Sequence, residues 1–452
     1  MIDVKGSAVD ELPVVVVGAG PVGLAAASEV FERGLKPLVL EAGPEVGSAV
    51  REWSHVRLFS QWAELIDPAA ARLLEREGWH APDPAAYPAG ADWVEQYLQP
   101  LAAALGERVR FGARVVGVAR RGRDRVVDAG RASEPLTVHV ETADGEERIA
   151  AQAVIDASGT WRSPNPLGGD GLPAAGELAA RDRISYQVPD VSDGQVRARF
   201  AGKRIAVAGS GHSALTALVA FAGLAEEVAG TEIVWVLRRG RSGDVFGGGE
   251  ADQLPERGAL GLRAKQAVEA GHVRTMTGFR TAAVEADGDG RLVLTSFEGD
   301  KSAPVDEVVV LTGFRPDLSW LSEVRLDLDP VLQAPTALAP LIDPNVHSCG
   351  TVYPHGAKEL AHPEPGVFVV GMKSYGRAPT FLAMTGYEQV RSVTAAIAGD
   401  TESAERVELV LPETGVCGGA GLFDEPEAEQ GGGCCAAPQQ AVELAAPGAA
   451  ER

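Results

Sequence analysis

A chain of 452 residues, 45% apolar and 23% charged, is long enough for two or three domains with sizeable cores. Its 63 acidic residues outnumber 41 basic ones, and the net charge of -22 excludes the broad basic surface that nucleic-acid binding needs. No apolar run approaches the roughly 18 residues of a membrane-spanning helix, and Met1 to Glu11 is polar, so the expectation is a cytoplasmic protein with no membrane partner.

Leu12 to Val17 is a short, wholly apolar, valine-rich run, which predicts a strand buried on both faces. A glycine-rich turn follows, then a helical stretch from Leu24 to Arg33 stopped by Gly34, then a strand from Leu35 to Leu40. The segment from Ala42 to about Pro100, rich in Trp and Pro, reads as irregular. Val109 to Ala119 and Leu136 to Ile149 read as two strands of a small antiparallel element, and Ala153 to Ile155 as another buried strand. The pattern then repeats: a strand at Arg204 to Ala208, a glycine loop, a helix from Leu215 to Leu224, and a strand at Ile233 to Leu237. Strands at Val308 to Leu311 and Val367 to Val370 and a helix from about Phe381 to Ala398 complete the ordered part. Val407 to Leu411 is a candidate last strand, after which Gly, Ala, Glu and Pro predominate and a largely disordered tail is expected.

The first glycine loop is Gly18-Ala19-Gly20-Pro21-Val22-Gly23. Gly18 suits the tight strand-to-helix turn, Gly20 the close approach of backbone to a pyrophosphate, and Gly23 the packing of helix on strand. The helix N-terminus offers free N–H groups to phosphates, and Glu41, ending the next strand, suits ribose hydroxyls. In the second loop Gly209, Gly211 and Ala214 take the same three places, but its second strand ends in Arg238 and Arg239. Arginine pairs with a 2′-phosphate where an acid would repel it. The two loops therefore predict FAD on the first and a nicotinamide dinucleotide on the second, NADPH in preference to NADH, one cofactor passing hydride to the other.

The two loops, together with Asp156-Ala157-Ser158-Gly159-Thr160-Trp161 and Thr312-Gly313-Phe314-Arg315-Pro316, resemble the flavin-containing monooxygenase group over roughly residues 12 to 400. The resemblance implies an α/β protein with two Rossmann-like three-layer dinucleotide-binding domains and small antiparallel β elements. It implies an FAD domain over 1–165 and 315–400, an inserted NAD(P)H domain over 166–314, and a flexible tail over 401–452. It also implies that Ala157 and Gly159 lie near the flavin nucleotide, that Arg51, Trp53 and Ser60 line the flavin, and that Gly371 and Met372 stand where many relatives carry Gly-Asp. Trp53 suits a flavin wall and plain core packing equally well. The region Arg183-Ile184-Ser185-Tyr186 lacks the histidine-containing stretch common in that group. Gly247-Gly248-Gly249, Asp252-Gln253-Leu254-Pro255 and Leu411 to Cys417 resemble the flavoprotein branch of arsenic-resistance operons.

The cysteines narrow the chemistry. There are four, Cys349, Cys417, Cys434 and Cys435, so neither glycine-loop region holds a redox pair. Electrons on the flavin then pass to O2, with oxygen transfer to a small-molecule substrate, or to a diffusible acceptor. Cys417, Cys434 and Cys435 are soft ligands that suit a thiophilic metal or metalloid. Three functions follow: an NADPH-dependent monooxygenase serving metalloid or xenobiotic detoxification, a metal- or thiol-directed reductase with the tail cysteines as shuttle, and a non-enzymatic metalloid-binding or redox-sensing flavoprotein.

Overall fold

The computed structural model describes residues 11–409 except 241–244, 253, 347–353 and 380. Two parallel five-stranded sheets organise it. The first is built from β1 (Val14–Val17), β2 (Pro37–Leu40), β3 (Val109–Arg110), β7 (Ala153–Asp156) and β15 (Val367–Val369), in the order β15-β7-β1-β2-β3. The second uses β8 (Ile184–Ser185), β9 (Arg204–Ala208), β10 (Glu232–Val236), β11 (Val273–Met276) and β14 (Glu307–Val310), in the order β11-β10-β9-β14-β8. The strands of the second sheet all fall between β7 and β15 of the first, so one Rossmann-like core is inserted in the other.

Alternation along the strands makes each core three-layered. Val14 and Val16 face a cluster with Ala25, Ala26 and Val30 of helix α1 (Pro21–Glu32). Val15 and Val17 face the other way, onto a three-stranded antiparallel sheet of β4 (Arg114–Arg120), β5 (Leu136–Thr142) and β6 (Gly145–Ala151). The inserted core repeats this plan. Ile205 and Val207 pack on the helical side, while Ala206 and Ala208 pack toward the hairpin of β12 (Thr281–Ala286) and β13 (Leu292–Ser296). A strand covered on both faces has no polar side to show, which is why β1 reads as unbroken valine.

Three expectations are corrected by local geometry. Val109 to Ala119 is two strands in different sheets: Gly112 turns the chain at φ +63°, so β3 stays in the parallel sheet and β4 leaves it. Leu136 to Ile149 is a hairpin, broken at Gly145 with φ +122°. The stretch from 42 to 100 contains helix α2 (Pro68–Arg76) and short helices at Trp62–Leu65, Gly90–Trp93 and Gln99–Leu105. Asp67 caps α2 by accepting from the N–H of Ala70 at 2.8 Å, with Pro68 at the first helical position. Burial, helped by the nearby Glu29 carboxylate, pushes the Asp67 carboxyl up to about 8. In the second lobe the helix expected over Leu215 to Leu224 is α3 (His212–Glu227), and α4 (Pro255–Glu269) and strands β11 to β13 fill the space around the predicted elements. Residues 407–409 form no strand, and Leu411 lies outside the described residues.

Candidate functional site: two glycine-loop crevices and the seam between them

The first glycine loop leaves β1 at the carboxyl edge of its sheet. Gly18 has φ +103°, and a Cβ there would lie 2.9 Å from the carbonyl oxygen of Ala157. A Cβ on Gly23 would lie 1.9 Å from the carbonyl oxygen of Gly18. Both glycines are therefore demanded by the protein's own backbone. Gly20 differs: a Cβ there meets nothing within 4 Å. Gly20 is also the N-cap of α1, which has no side-chain cap and no acid in its first turn. An uncapped helix N-terminus with open space before it is a ready anion site. FAD pyrophosphate fits this cradle, because the one glycine not required by packing faces the opening.

Glu41 is tied into the same loop. Its Oε2 accepts from the N–H of Ala19 and its Oε1 from the N–H of Gly43, both at 2.7 Å. Each carboxylate oxygen keeps a further acceptor position for a hydroxyl. Ala157 lies on the crossing after β7, beside Gly18, and Gly159, with φ +68°, follows two residues along the same crossing. Gly371, with φ +68°, packs on Val22, so three loops meet at this edge. The N–H of Gly371 donates to Oε1 of Gln389 at 2.7 Å, and Met372 is half-buried in the short 3₁₀ turn that follows.

Beneath these loops is an ion pair that sequence reading missed. Lys373 Nζ lies 2.7 Å from Oδ2 of Asp156, and both side chains are essentially fully buried. Asp156 Oδ1 accepts from the N–H and Oγ of Ser158 at 3.1 and 2.6 Å. Lys373 also donates to Ser158 Oγ at 3.0 Å and lies 4.8 Å from the ring centre of Trp320. The available signal was a charged residue at the end of an otherwise apolar strand; its partner is too distant in sequence to infer.

The strap from Arg51 to Ser60 joins the lobes. Arg51 Nε contacts the Val46 carbonyl and the Glu45 carboxylate, each at 3.1 Å. Trp53 packs 6.5 Å from Trp93, and its ring lies 3.0 Å from where a Cβ on Gly90 would stand. Ser60 is half-buried at the strap's end. Glu52, not singled out from sequence, accepts from Trp161 Nε1 at 2.9 Å and from Gln187 Nε2 at 2.7 Å, and pairs with Arg162 at 2.6 Å. It thus ties the strap to the first crossing and to the inserted lobe. Glu52, Trp161, Arg162, Tyr186 and Phe314 line a cavity of about 360 Å³ at this seam, and the rings of Trp161 and Phe314 pack with centres 5.1 Å apart at a tilt of 31°.

The second loop repeats the first in its geometry. Gly209 has φ +131°, with its missing Cβ 2.2 Å from the Leu311 carbonyl oxygen, whereas a Cβ on Gly211 meets nothing within 4 Å. Ala214 is fully buried under the loop. Helix α3 likewise has neither a side-chain cap nor an acid in its first turn. His212 in that turn packs edge-on to Phe59 of the strap at 5.2 Å. Burial, with the Arg257 guanidinium nearby, pulls its imidazole down to about 4, so it is neutral at pH 7. Beyond β10, Arg238 is exposed and Arg239 half-buried. All four cysteines, including Cys417, Cys434 and Cys435, lie outside the described residues, as does Gln253 of the quoted loop motif. Among the described residues no cluster of three metal-ligating side chains occurs, and no helix is long and apolar enough to cross a membrane.

Two parallel-sheet cores, one inserted in the other, each with an open glycine loop, define an oxidoreductase that binds two dinucleotides. The chain belongs to the pyridine nucleotide-disulphide oxidoreductase family, which it matches over residues 12–362. It is thus an FAD- and NAD(P)H-dependent enzyme, which removes the non-enzymatic reading. It is 27% identical over 319 residues to ferredoxin–NADP reductase 1 of Cupriavidus necator, covering 70% of this chain and 74% of that protein. It is 30% identical over 205 residues to the indole-3-pyruvate monooxygenase YUCCA1 of Oryza sativa subsp. japonica, covering 44% of this chain and 43% of that protein. Its fold matches the bacillithiol disulfide reductase Bdr of Bacillus cereus with a TM-score of 0.61 and 19% identity, over 86% of this chain and 99% of that one. The FAD-bound cadaverine monooxygenase DfoA of Erwinia amylovora also gives 0.61, at 14% identity, over 88% and 98% of the two chains.

Proposed function

We propose that the chain is an NADPH-dependent FAD monooxygenase that transfers oxygen to a small substrate. FAD occupies the first crevice, held by Gly18, Gly20, Gly23, Glu41, Ala157, Gly159 and the Gly371-Met372 turn. Arg51, Trp53 and Ser60 are the flavin-side strap. NADPH occupies the second crevice, at Gly209, Gly211 and Ala214, with Arg238 and Arg239 facing its 2′-phosphate. The domains divide as 1–165 with 315–400, 166–314, and the tail 401–452.

One observation carries this reading: although the family is named for disulphide chemistry, no cysteine precedes Cys349, so among the described residues neither crevice nor the seam between them has a protein disulfide to receive electrons. Bound flavin supplies two-electron chemistry, and its electrons must leave to something that comes to it. The seam cavity suits a small ligand: aromatic walls from Trp161 and Phe314, with polar groups from Glu52, Arg162 and Gln187. The test is NADPH oxidation by the purified flavoprotein with and without O2. The monooxygenase reading expects O2 uptake stoichiometric with NADPH and is refuted if turnover needs a disulfide or metal acceptor under anaerobic conditions.

The adjacent Cys434 and Cys435 favour a second reading, a metal- or thiol-directed reductase. Cys434→Ser with Cys435→Ser would then abolish turnover while flavin stays bound. Arsenic or another metalloid is the substrate field that these cysteines and Cys417 suggest.

A further inference from the structure

We propose that Lys373 is a positioning residue for FAD: through Asp156 it fixes the crossing loop that forms one wall of the first crevice. This rests on the assignment of FAD to that crevice.

A buried ion pair is a poor device for stability, since removing both charges from water costs several kcal/mol that an apolar pair would not incur. What it supplies is geometry. The Lys373 ammonium lies 2.7 Å from Asp156 Oδ2 as an ion contact, donates to Ser158 Oγ at 3.0 Å and faces the ring of Trp320 at 4.8 Å. Asp156 Oδ1, in turn, holds both the N–H and the hydroxyl of Ser158. The loop is thus held at its start and two residues later, with Ala157 between. Ala157 is the residue whose carbonyl faces the vacant Cβ position of Gly18 at 2.9 Å and whose methyl group lies 3.5 Å from that of Gly23.

The pair also links the two loops that flank the glycine loop. β7 and β15 are neighbours in register, Asp156 opposite Val369, and the N–H of Val370 donates to the Asp156 carbonyl at 2.9 Å. Both strands end there, at Asp156 and Val369, and the side chains of Asp156 and Lys373 continue the connection. At 372, where a side-chain carboxylate is the pattern this chain resembles, Met offers no hydrogen bond. Lys373 does not replace that contact; it is buried beneath the crevice and acts through the loop.

The experiment titrates apoprotein with FAD, followed by flavin fluorescence, and records the melting temperature of each apoprotein. Asp156→Asn combined with Lys373→Met removes the charges and the tie together. We expect FAD binding at least about 10-fold weaker, a loss of 1.4 kcal/mol, from a folded apoprotein. Asp156→Gln with Lys373→Gln, in which the methylene added at 156 makes up the atom lost at 373, lets two amides hydrogen-bond across the same gap and should recover affinity to within about threefold of the original. The proposal is overturned if the Asn/Met protein is folded and binds FAD like the original. Should that protein not fold, the Gln/Gln protein decides: a loss of about 10-fold from a folded Gln/Gln apoprotein also overturns it. Gly20→Ala separates the two levels of the argument. If it too leaves FAD affinity unchanged, the placement of FAD fails; if it weakens FAD and the Asn/Met protein does not, only the role of Lys373 fails.

Discussion

Gly20→Ala separates what the fold requires from what the ligand requires. Gly20 has φ -83° and ψ -176°, extended backbone that alanine adopts without strain, and its Cβ would meet nothing within 4 Å. The substitution should leave apoprotein stability within about 1 kcal/mol, with a small gain from the less flexible unfolded chain. The bound pyrophosphate would meet the new methyl group directly. Loss of one charge-assisted hydrogen bond there costs about 1.5–3 kcal/mol, or roughly 10- to 100-fold in FAD affinity. Gly18→Ala is the control. With φ +103° and a Cβ 2.9 Å from the Ala157 carbonyl oxygen, it should lose about 1–3 kcal/mol of stability as well as FAD. The assay is FAD titration of each apoprotein alongside thermal unfolding. FAD binding by the Gly20→Ala protein within threefold of the original would refute the crevice assignment, whatever Gly18→Ala does.

The second loop makes the same contrast: Gly209→Ala, whose Cβ would stand 2.2 Å from the Leu311 carbonyl oxygen, should destabilise the protein by about 2–4 kcal/mol, while Gly211→Ala should leave the melting temperature unchanged and weaken NADPH. Arg238→Ala should reduce the preference for NADPH over NADH by about 10-fold or more, measured as the ratio of kcat/KM values; an unchanged ratio rejects the 2′-phosphate role. Asp67 supplies a pH signature. Its carboxyl is raised by burial to about 8, above its unfolded value, so the folded state holds the extra proton. Its stabilising contribution is complete below about pH 4 and is lost as pH rises toward 8, at no more than about 1.4 kcal/mol per pH unit. Asp67→Asn, which keeps an acceptor for the Ala70 N–H, should flatten that decline in denaturant unfolding between pH 5 and 8.

The parts of this site that are local in sequence were legible, and those assembled from distant segments were not. Gly18, Gly20 and Gly23 are spaced by the strand–turn–helix geometry itself, so the fold could be read from six residues and the apolar strands on either side. The end of a parallel strand is equally local, which is why Glu41 could be placed at the loop. Gly112-Ala113 does break the run from Val109 to Ala119, but an isolated Gly in a strand pattern equally marks a bulge, so the break alone could not show that the segment serves two sheets. Nor could periodicity find α2, whose start is marked by Asp67-Pro68 but lies in a stretch where Pro and Trp suggest irregular chain. Asp156 and Lys373 meet only because β7 and β15 pair across the inserted lobe. Glu52 is one acid in a polar segment until the strap brings it to Trp161, Arg162 and Gln187.

The two crevices share one backbone device and differ in charge, and on the proposed assignment that difference sets which dinucleotide uses each. The Glu41 carboxylate is fixed by two backbone N–H groups 2.7 Å away, so it cannot swing aside to admit a phosphate. A ribose with both hydroxyls free can donate to its remaining lone pairs, whereas a 2′-phosphate would bring like charge against an immobile anion. Exposed Arg238, which follows β10, would on the same assignment reverse that preference at the second crevice. The asymmetry therefore has a rigid half and an adaptable half. On the proposed assignment, NADPH is kept from the first crevice by a carboxylate that the fold itself holds in place, while selection at the second depends on a surface side chain. Substitution of Arg238 should change nucleotide preference without disturbing FAD, whereas Glu41→Gln should weaken both FAD binding and the loop its carboxylate holds.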